Sequence, residues 1–203
     1  VAMALCRETQ DVLRPDLRIL VMSATLDMPE LSSLLKAPII ESLGRAYPVD
    51  VNYVGDNDVK LLPELAARTL KMAMKKHKGD VLVFLPGQGE IKKCEELLRQ
   101  YLDEIMIHPL YGQLPYNQQR SAILPNKEGK RKVVLATNIA ETSLTIEGVT
   151  VVIDSGFERT ARFNPNTGLS RLETIQIAKD SADQRAGRAG RLSAGTCYRM
   201  WTI

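Results

Sequence analysis

Short apolar segments alternate with amphipathic segments along this chain of 203 residues, and this alternation limits its possible folds more than any other feature. The apolar segments have the length of buried strands, and the segments between them carry apolar residues at helical spacing. Strands are predicted at Leu17–Met22, Val49–Val54, Val81–Leu85, Ile105–Leu110, Val133–Ala136 and Val149–Asp154. Helices are predicted at about Pro29–Lys36, Val59–His77, Gly89–Leu102 and Pro115–Ile123. Such alternation predicts an α/β fold, with a parallel sheet covered on both faces.

Two segments interrupt the alternation. Residues Ser42–Pro48 indicate a crossing segment between an incomplete first unit and the main domain. In Phe157–Ile177, two segments of alternating polarity flank Asn164–Gly168, a sequence of Asn, Pro, Thr and Gly that is typical of a turn. We therefore predict a β-hairpin inserted in a domain whose sheet is otherwise mainly parallel.

The composition argues against several classes of protein. Apolar runs are far shorter than the ~20 residues that span a bilayer, so we expect no membrane segment. The first residues include no basic segment and no initiator Met, so we expect neither a signal peptide nor the natural start of the protein. Three distant cysteines offer no disulfide framework, which fits the cytoplasm, and two histidines argue against a zinc enzyme. A net charge of +3 is compatible with a polyanionic partner.

Arginines recur at every third position within Gln184–Arg191, so on a helix they drift slowly around one side. Gly187 and Gly190 stand between them, and each costs a helix interior about 1 kcal/mol relative to Ala. That cost is explained if the backbone approaches a ligand or a neighbouring domain closely there, and forked guanidinium groups suit phosphate oxygens. The alternative is a surface basic helix with glycines at its end.

A second segment, Ala136–Gly148, is rich in small polar residues and starts at the carboxyl end of a predicted strand. Open α/β sheets bind ligands at that edge. The hydroxyl and amide groups of this segment can donate to phosphates, or they can cap a helix. Helix capping alone would account for one or two of these residues.

A third segment, Phe84–Ile91, leads from a predicted strand through a glycine-rich turn into a helix. Gly87 and Gly89 match the start of a dinucleotide-binding fingerprint, but Lys92 stands where its third glycine should be. A plain strand-to-helix turn is the alternative. These two glycines are the sole support for a further hypothesis, that the protein is a nucleotide-dependent oxidoreductase.

These segments resemble the later motifs of superfamily 2 helicases in their order and spacing. The resemblance rests on Ser23–Thr25, Leu85–Ile91, Ala136–Gly148 and Gln184–Arg191. The last two are most similar to the DEAH-box branch. Leu85–Ile91, together with Gly44–Val49 and Cys197–Trp201, is most similar to its bacterial HrpB-type members. The resemblance covers nearly the whole chain and implies a RecA-like three-layer domain in an ATP-dependent helicase acting on RNA, with DNA as the alternative.

The phosphate-binding loop and the DEAH box of this family are absent from the sequence. Leu124 stands five residues before Gly129–Lys130, where the loop needs Gly, and Asp103–Glu104 continues with Ile and Met. The resemblance therefore implies that residues 1–43 end a first RecA-like lobe and that residues 44–203 form a complete second lobe. The missing part of the first lobe would hold Mg²⁺, and C-terminal accessory domains would complete the protein. This fragment alone is expected to be inactive.

The resemblance also implies roles in binding ATP, which lies between the two lobes in the family. Gln184, Arg188 and Arg191 would face the phosphates, with the two arginines neutralising charge on the γ-phosphoryl group. Thr145 and Glu147 would lie near the ribose. Ile123 would pack on the base, where an aliphatic side chain predicts weak choice among nucleoside triphosphates.

Contacts with the backbone of single-stranded nucleic acid are implied for a further set of residues: Thr137, Asn138, Gly87, Gln88, Tyr111 and Gly112. Ser23, Ala24 and Thr25 would couple the lobes, although Thr25 could instead cap a helix. The hairpin Phe157–Ile177 matches the element at which relatives separate strands. The alternative to a helicase fragment is a noncatalytic α/β module that binds nucleic acid or protein and never meets ATP.

Overall fold

The computed structural model describes residues 1–22, 28–40, 47–55, 58–101, 105–125, 129–141 and 145–202. They belong to two units, Val1–Leu43 and Gly44–Ile203. None of the helices in these ranges is long and apolar enough to cross a membrane. The interpretation of the two units as parts of two RecA-like lobes stays a prediction.

The first unit contains helices α1 (Ala2–Val12) and α2 (Met28–Leu35). The second helix was predicted and the first was not. The prediction of a strand at Leu17–Met22 is wrong, since these residues adopt no regular structure, and Leu20 and Met22 are 78% and 81% exposed. A strand needs hydrogen bonds to a neighbouring strand, and the described part of this unit contains no strand that could supply them.

The second unit is built on a parallel sheet with the strand order β1-β8-β5-β2-β4-β3. The strands are β1 (Val49–Tyr53), β2 (Asp80–Phe84), β3 (Met106–Leu110), β4 (Lys132–Ala136), β5 (Val149–Asp154), β6 (Phe157–Asn164), β7 (Leu169–Gln176) and β8 (Gly195–Arg199). The helices are α3 (Leu62–Lys76), α4 (Gln88–Arg99), α5 (Tyr116–Ile123) and α6 (Lys179–Gly187). The predicted α/β fold is confirmed.

Each face of the sheet has its own apolar core. Neighbouring residues of a strand point to opposite faces, so Val83 belongs to one core with Leu70 of α3, whereas Phe84 belongs to the other core with Ala122 of α5 and Ala186 of α6. Helices therefore cover both faces and produce the predicted three layers.

Strand β8 was not predicted, although it lies inside the sheet between β1 and β5. Its first residue, Gly195, has no room for a side chain, because a Cβ there would lie 2.3 Å from the carbonyl oxygen of Ala189. The strand also contains the charged residue Arg199, which interrupts the apolar pattern of a buried strand. Its place in the sheet is therefore set by tertiary packing.

The hairpin was predicted and is confirmed. Strands β6 and β7 pair antiparallel from Phe157 and Gln176 to Asn164 and Leu169. Gly168 closes the turn with φ +67°, a conformation that favours glycine. Only the base of the hairpin is buried, at Phe157, and most of its other side chains are exposed.

Candidate functional site

The carboxyl edge of the sheet gathers the residues predicted to contact nucleic acid. Gly87 and Gln88 follow β2, Tyr111 and Gly112 follow β3, and Thr137 and Asn138 follow β4. These three strands are neighbours, since β2 and β3 both pair with β4. The side chains of Gln88 and Tyr111 also meet directly, because the amide nitrogen of Gln88 donates to the tyrosine hydroxyl at 2.9 Å. The topology therefore unites residues from three distant parts of the sequence.

Packing limits the space beside Gly87 only through the ends of two flexible side chains. This glycine is buried before the first residue of α4, and a Cβ there would lie 2.9 Å from Oε2 of Glu90 and 3.1 Å from the Arg159 side chain. Gly89 and Gly112 differ, since a Cβ on either would meet no heavy atom of the described residues within 4 Å. Internal packing thus restricts Gly87 only weakly and does not restrict the other two.

The residues predicted to bind ATP lie on connections that enter the amino edge of the sheet. Ile123 ends α5 ahead of β4, Thr145 and Glu147 precede β5, and Arg191 precedes β8. Nη1 of Arg191 donates to the hydroxyl of Thr145 at 2.5 Å. Thr145, Glu147 and Arg191 are exposed, whereas Ile123 is half-buried.

Arg188 begins the 3₁₀ turn Arg188–Gly190, which directly follows α6, and Gln184 lies half-buried on α6. The guanidinium of Arg188 donates to the carbonyl oxygen of Glu141, from Nε at 3.0 Å and also from Nη2. Burial, and then the nearby charge of Arg191, lower the pKa of Arg188 to about 10, so the side chain remains charged at neutral pH.

The alternative of a solvated basic helix is wrong for this segment. Arg185 and Arg188 are only 1% and 6% exposed. Gly190 is explained by packing, because a Cβ there would lie 2.5 Å from the carbonyl oxygen of Tyr47. Gly187 is exposed, and a Cβ there would meet nothing within 4 Å in the described ranges. Of the two glycines, only Gly187 leaves room for the approach of a ligand.

Arg185 is the important residue that sequence reasoning missed. Its Nε donates to Glu141 and its Nη1 to Asp154, both at 3.0 Å, and Nη1 also donates to the carbonyl oxygen of Phe157 at 3.2 Å. Nη2 lies 3.7 Å from the Glu158 carboxylate. The three-residue spacing of the arginines, together with an acidic residue ending the apolar strand β5, was the available signal.

Some predicted residues lie outside the described ranges, namely Ser23, Ala24, Thr25, residues 44–46 and residues 142–144. Their predicted roles stay predictions. Within the described ranges, no group of three or more His, Cys, Asp or Glu side chains could hold a metal ion.

Comparison with known proteins identifies the family. The model of the helicase conserved C-terminal domain matches residues 60–193. The chain belongs to this helicase family. It is 47% identical over 202 residues to the Escherichia coli protein named ATP-dependent RNA helicase HrpB, covering 98% of this chain and 25% of that protein. It is 42% identical over 197 residues to the pre-mRNA-splicing factor ATP-dependent RNA helicase prp22 of Schizosaccharomyces pombe, covering 93% of this chain and 17% of that protein.

Solved structures agree with these relatives. The crystal structure of the E. coli DEAH/RHA helicase HrpB matches 99% of this chain and 26% of its own, with a TM-score of 0.88 and 46% identity. A second crystal structure, of the E. coli DExH-box NTPase HrpB, gives a TM-score of 0.87 at 46% identity, over 99% of this chain and 25% of its own. The predicted RecA-like fold and the resemblance to HrpB-type DEAH-box helicases are thereby confirmed. This chain spans about a quarter of the length of E. coli HrpB.

Proposed function

We propose that this chain is the second RecA-like lobe, with the end of the first, of an ATP-dependent RNA helicase. The similar proteins from E. coli and S. pombe are both named as ATP-dependent RNA helicases, and the chain covers a quarter or less of each. Unwinding would be the activity of the longer protein. Its upstream lobe would supply the Mg²⁺ ligands, together with the phosphate-binding loop and the DEAH box that this sequence lacks.

The pair of Arg188 and Arg191 carries the proposal. The two side chains are near enough that the charge of Arg191 contributes to lowering the pKa of Arg188. Like charges held close together repel each other, and an anion with several oxygens relieves that repulsion while accepting hydrogen bonds. The phosphates of ATP fit this requirement. Arg191 is exposed and therefore accessible to a ligand, and its partner Thr145 offers a hydroxyl beside it.

In the proposed mechanism, ATP supplies the γ-phosphoryl group, and the two arginines neutralise the charge that develops on its oxygens. Arginines in this role are worth ~10³–10⁵ in rate. Gln184 lies one helical turn before Arg188 and would contact the phosphates from α6. Thr145 and Glu147 would hold the ribose, and Ile123 would pack on the base without selecting it.

The RNA strand would run along the carboxyl edge of the sheet. The backbone amides and polar side chains that follow β2, β3 and β4 can donate to phosphates and ribose, and such contacts carry no sequence information. Tyr111 is the aromatic residue in this set, so the edge is better suited to holding the backbone than to stacking successive bases. Independence from sequence is what a translocating enzyme requires.

The decisive experiment measures steady-state ATP hydrolysis by the full-length protein with saturating single-stranded RNA and Mg²⁺. Arg188→Ala and Arg191→Ala should each lower kcat by about 10³-fold or more, while KM for ATP changes little, because the interaction is made mainly in the transition state. Arg99→Ala is the matched control, since Arg99 is an exposed arginine whose partner is Glu95. A change confined to KM would mean that the arginines hold ground-state ATP only.

The 203-residue chain alone provides a second test. It should release no phosphate above background with RNA and Mg²⁺, because it lacks the phosphate-binding loop and the metal-binding acids. Turnover by the pure chain would contradict the assignment to the second lobe. RNA binding by a full-length protein that hydrolyses no ATP would favour the noncatalytic binding module.

A further inference from the structure

Glu158 lies between a proposed RNA contact and the buried Arg185. Its Oε2 is 3.5 Å from Nδ2, the side-chain amide nitrogen, of Asn138 and 3.7 Å from Nη2 of Arg185. Normal hydrogen bonds between nitrogen and oxygen are ~2.7–3.2 Å long. Both contacts are therefore long, and a small movement of the carboxylate towards either partner would shorten one contact and break the other.

One nitrogen of the Arg185 guanidinium, on the side that faces Glu158, is available for a further hydrogen bond. Its Nη2 is buried and has no hydrogen-bond partner among the described residues, while Nε and Nη1 are bonded to Glu141, Asp154 and the backbone of Phe157. A buried donor without a partner costs free energy. Movement of Glu158 towards Arg185 would remove that cost, so the arrangement has a second favourable state.

The contacts continue from Arg185 to Arg188, one of the two arginines proposed to neutralise charge on the γ-phosphoryl group. The side chain of Glu141 accepts from Arg185, and the carbonyl oxygen of the same residue accepts from Arg188. Glu141 directly follows the 3₁₀ turn Asn138–Ala140, so its backbone is also tied to the proposed RNA-binding edge. A continuous set of contacts thus leads from Asn138 through Glu158, Arg185 and Glu141 to Arg188.

We propose that Glu158 and Arg185 are positioning residues that couple RNA binding to ATP hydrolysis. When the Asn138 amide turns to an RNA phosphate or ribose oxygen, it releases Glu158, which then bonds to Nη2 of Arg185. The completed set of bonds fixes Glu141, and its carbonyl holds Arg188 in the orientation that hydrolysis requires. This inference rests on the proposed function, and neither Glu158 nor Arg185 touches ATP in it.

The other face of the hairpin supplies a matched control. Arg159, next to Glu158 on β6, points to the opposite face and pairs with Glu90 of α4 at 3.2 Å. Glu90→Gln therefore removes one negative charge and one anchor of the hairpin base, as Glu158→Gln does. It leaves the contacts of Asn138 and Arg185 unchanged.

The experiment compares ATP hydrolysis by the full-length protein with and without a saturating 20-nucleotide poly(U) RNA. In Glu158→Gln, the stimulation of kcat by RNA should fall by about 5- to 150-fold, the range of coupling between two sites, while kcat without RNA stays within about twofold. Arg185→Lys should lose the same stimulation, because an ammonium group cannot reproduce the fork of bonds. Glu90→Gln should keep the parental stimulation.

Equilibrium binding gives an independent readout. A non-hydrolysable ATP analogue should change the affinity of the parent protein for the RNA, measured by fluorescence anisotropy, and this change should be lost in Glu158→Gln. The inference would be overturned if Glu158→Gln kept the parental stimulation, or if Glu90→Gln lost as much stimulation as Glu158→Gln. It would also be overturned if Glu158→Gln lowered kcat with and without RNA together with the melting temperature. If the parent protein shows no stimulation by RNA, the proposed function itself fails.

Discussion

Gly187 and Gly190 stand three residues apart, yet the structure predicts opposite effects when each is replaced by alanine. A Cβ on Gly190 would lie 2.5 Å from the carbonyl oxygen of Tyr47 and 2.7 Å from Cγ2 of Val49. Tyr47 cannot move away freely, because its amide donates to the carbonyl oxygen of Gly190 at 2.9 Å. Overpacking of this kind costs about 1–3 kcal/mol, so Gly190→Ala should lower the melting temperature by roughly 2–12 °C.

Gly187 lies at the end of α6 with φ −57° and ψ −17°, which any residue adopts. A Cβ there would meet no described heavy atom within 4 Å. Gly187→Ala should therefore stabilise the fold by about 0.4–1 kcal/mol through the lower entropy of the unfolded chain, raising the melting temperature by roughly 1–4 °C. If a nucleotide approaches the backbone at this position, the same variant should raise KM for ATP or lower kcat.

Thermal melts of the two variants, paired with ATP hydrolysis by the full-length protein, separate folding from function. The expected pattern is a less stable Gly190→Ala and a more stable Gly187→Ala that hydrolyses ATP poorly. A Gly190→Ala variant that melts like the parent would refute the packing argument. Parental ATP kinetics in Gly187→Ala would show that no ligand needs the open space beside this glycine.

Two further predictions concern the hairpin and the cysteines. Deletion of the hairpin tip Asn164–Gly168 should impair unwinding while RNA-stimulated ATP hydrolysis and the melting temperature persist; a joint loss of both activities would indicate an ordinary structural hairpin. Burial raises the pKa of the Cys94 and Cys197 thiols to about 12, whereas Cys6 is exposed. Iodoacetamide at pH 8 should therefore modify Cys6 alone in the native chain and all three cysteines in urea, as counted by mass spectrometry, and rapid native labelling of Cys94 would contradict the buried core.

Periodicity predicted the second unit well because its central strands β2, β4 and β5 are buried on both faces and carry continuous apolar runs. It failed where tertiary contacts decide the structure. Leu17–Met22 has the composition of a strand but no described strand beside it, whereas β8 has a weak pattern and lies between two partners. Helix α1 was missed because its apolar residues are grouped at Ala2–Cys6 instead of recurring at helical spacing, and none of its residues is buried.

The part of the candidate site that the sequence predicted came from its resemblance to family motifs. That resemblance grouped Gln88, Tyr111 and Asn138, and the structure places all three after neighbouring parallel strands, at one edge of the sheet. The importance of Arg185 could not be deduced in the same way, because its acidic partners Glu141 and Asp154 are 44 and 31 residues away. The local signal, arginines at every third position, does not show which of these arginines is buried and paired.

The position of β8 in the sheet has a consequence for synthesis of the protein. Strand β1 is the first of the second unit to leave the ribosome, and the neighbour to which it is hydrogen-bonded is β8, the last. The sheet therefore cannot incorporate β1 until residues 195–199 have been translated, and a nascent chain that stops earlier exposes the unpaired edge of β5. The sheet is completed only after its last strand has been translated, and the unpaired strand edge is exposed to aggregation or chaperone binding until then.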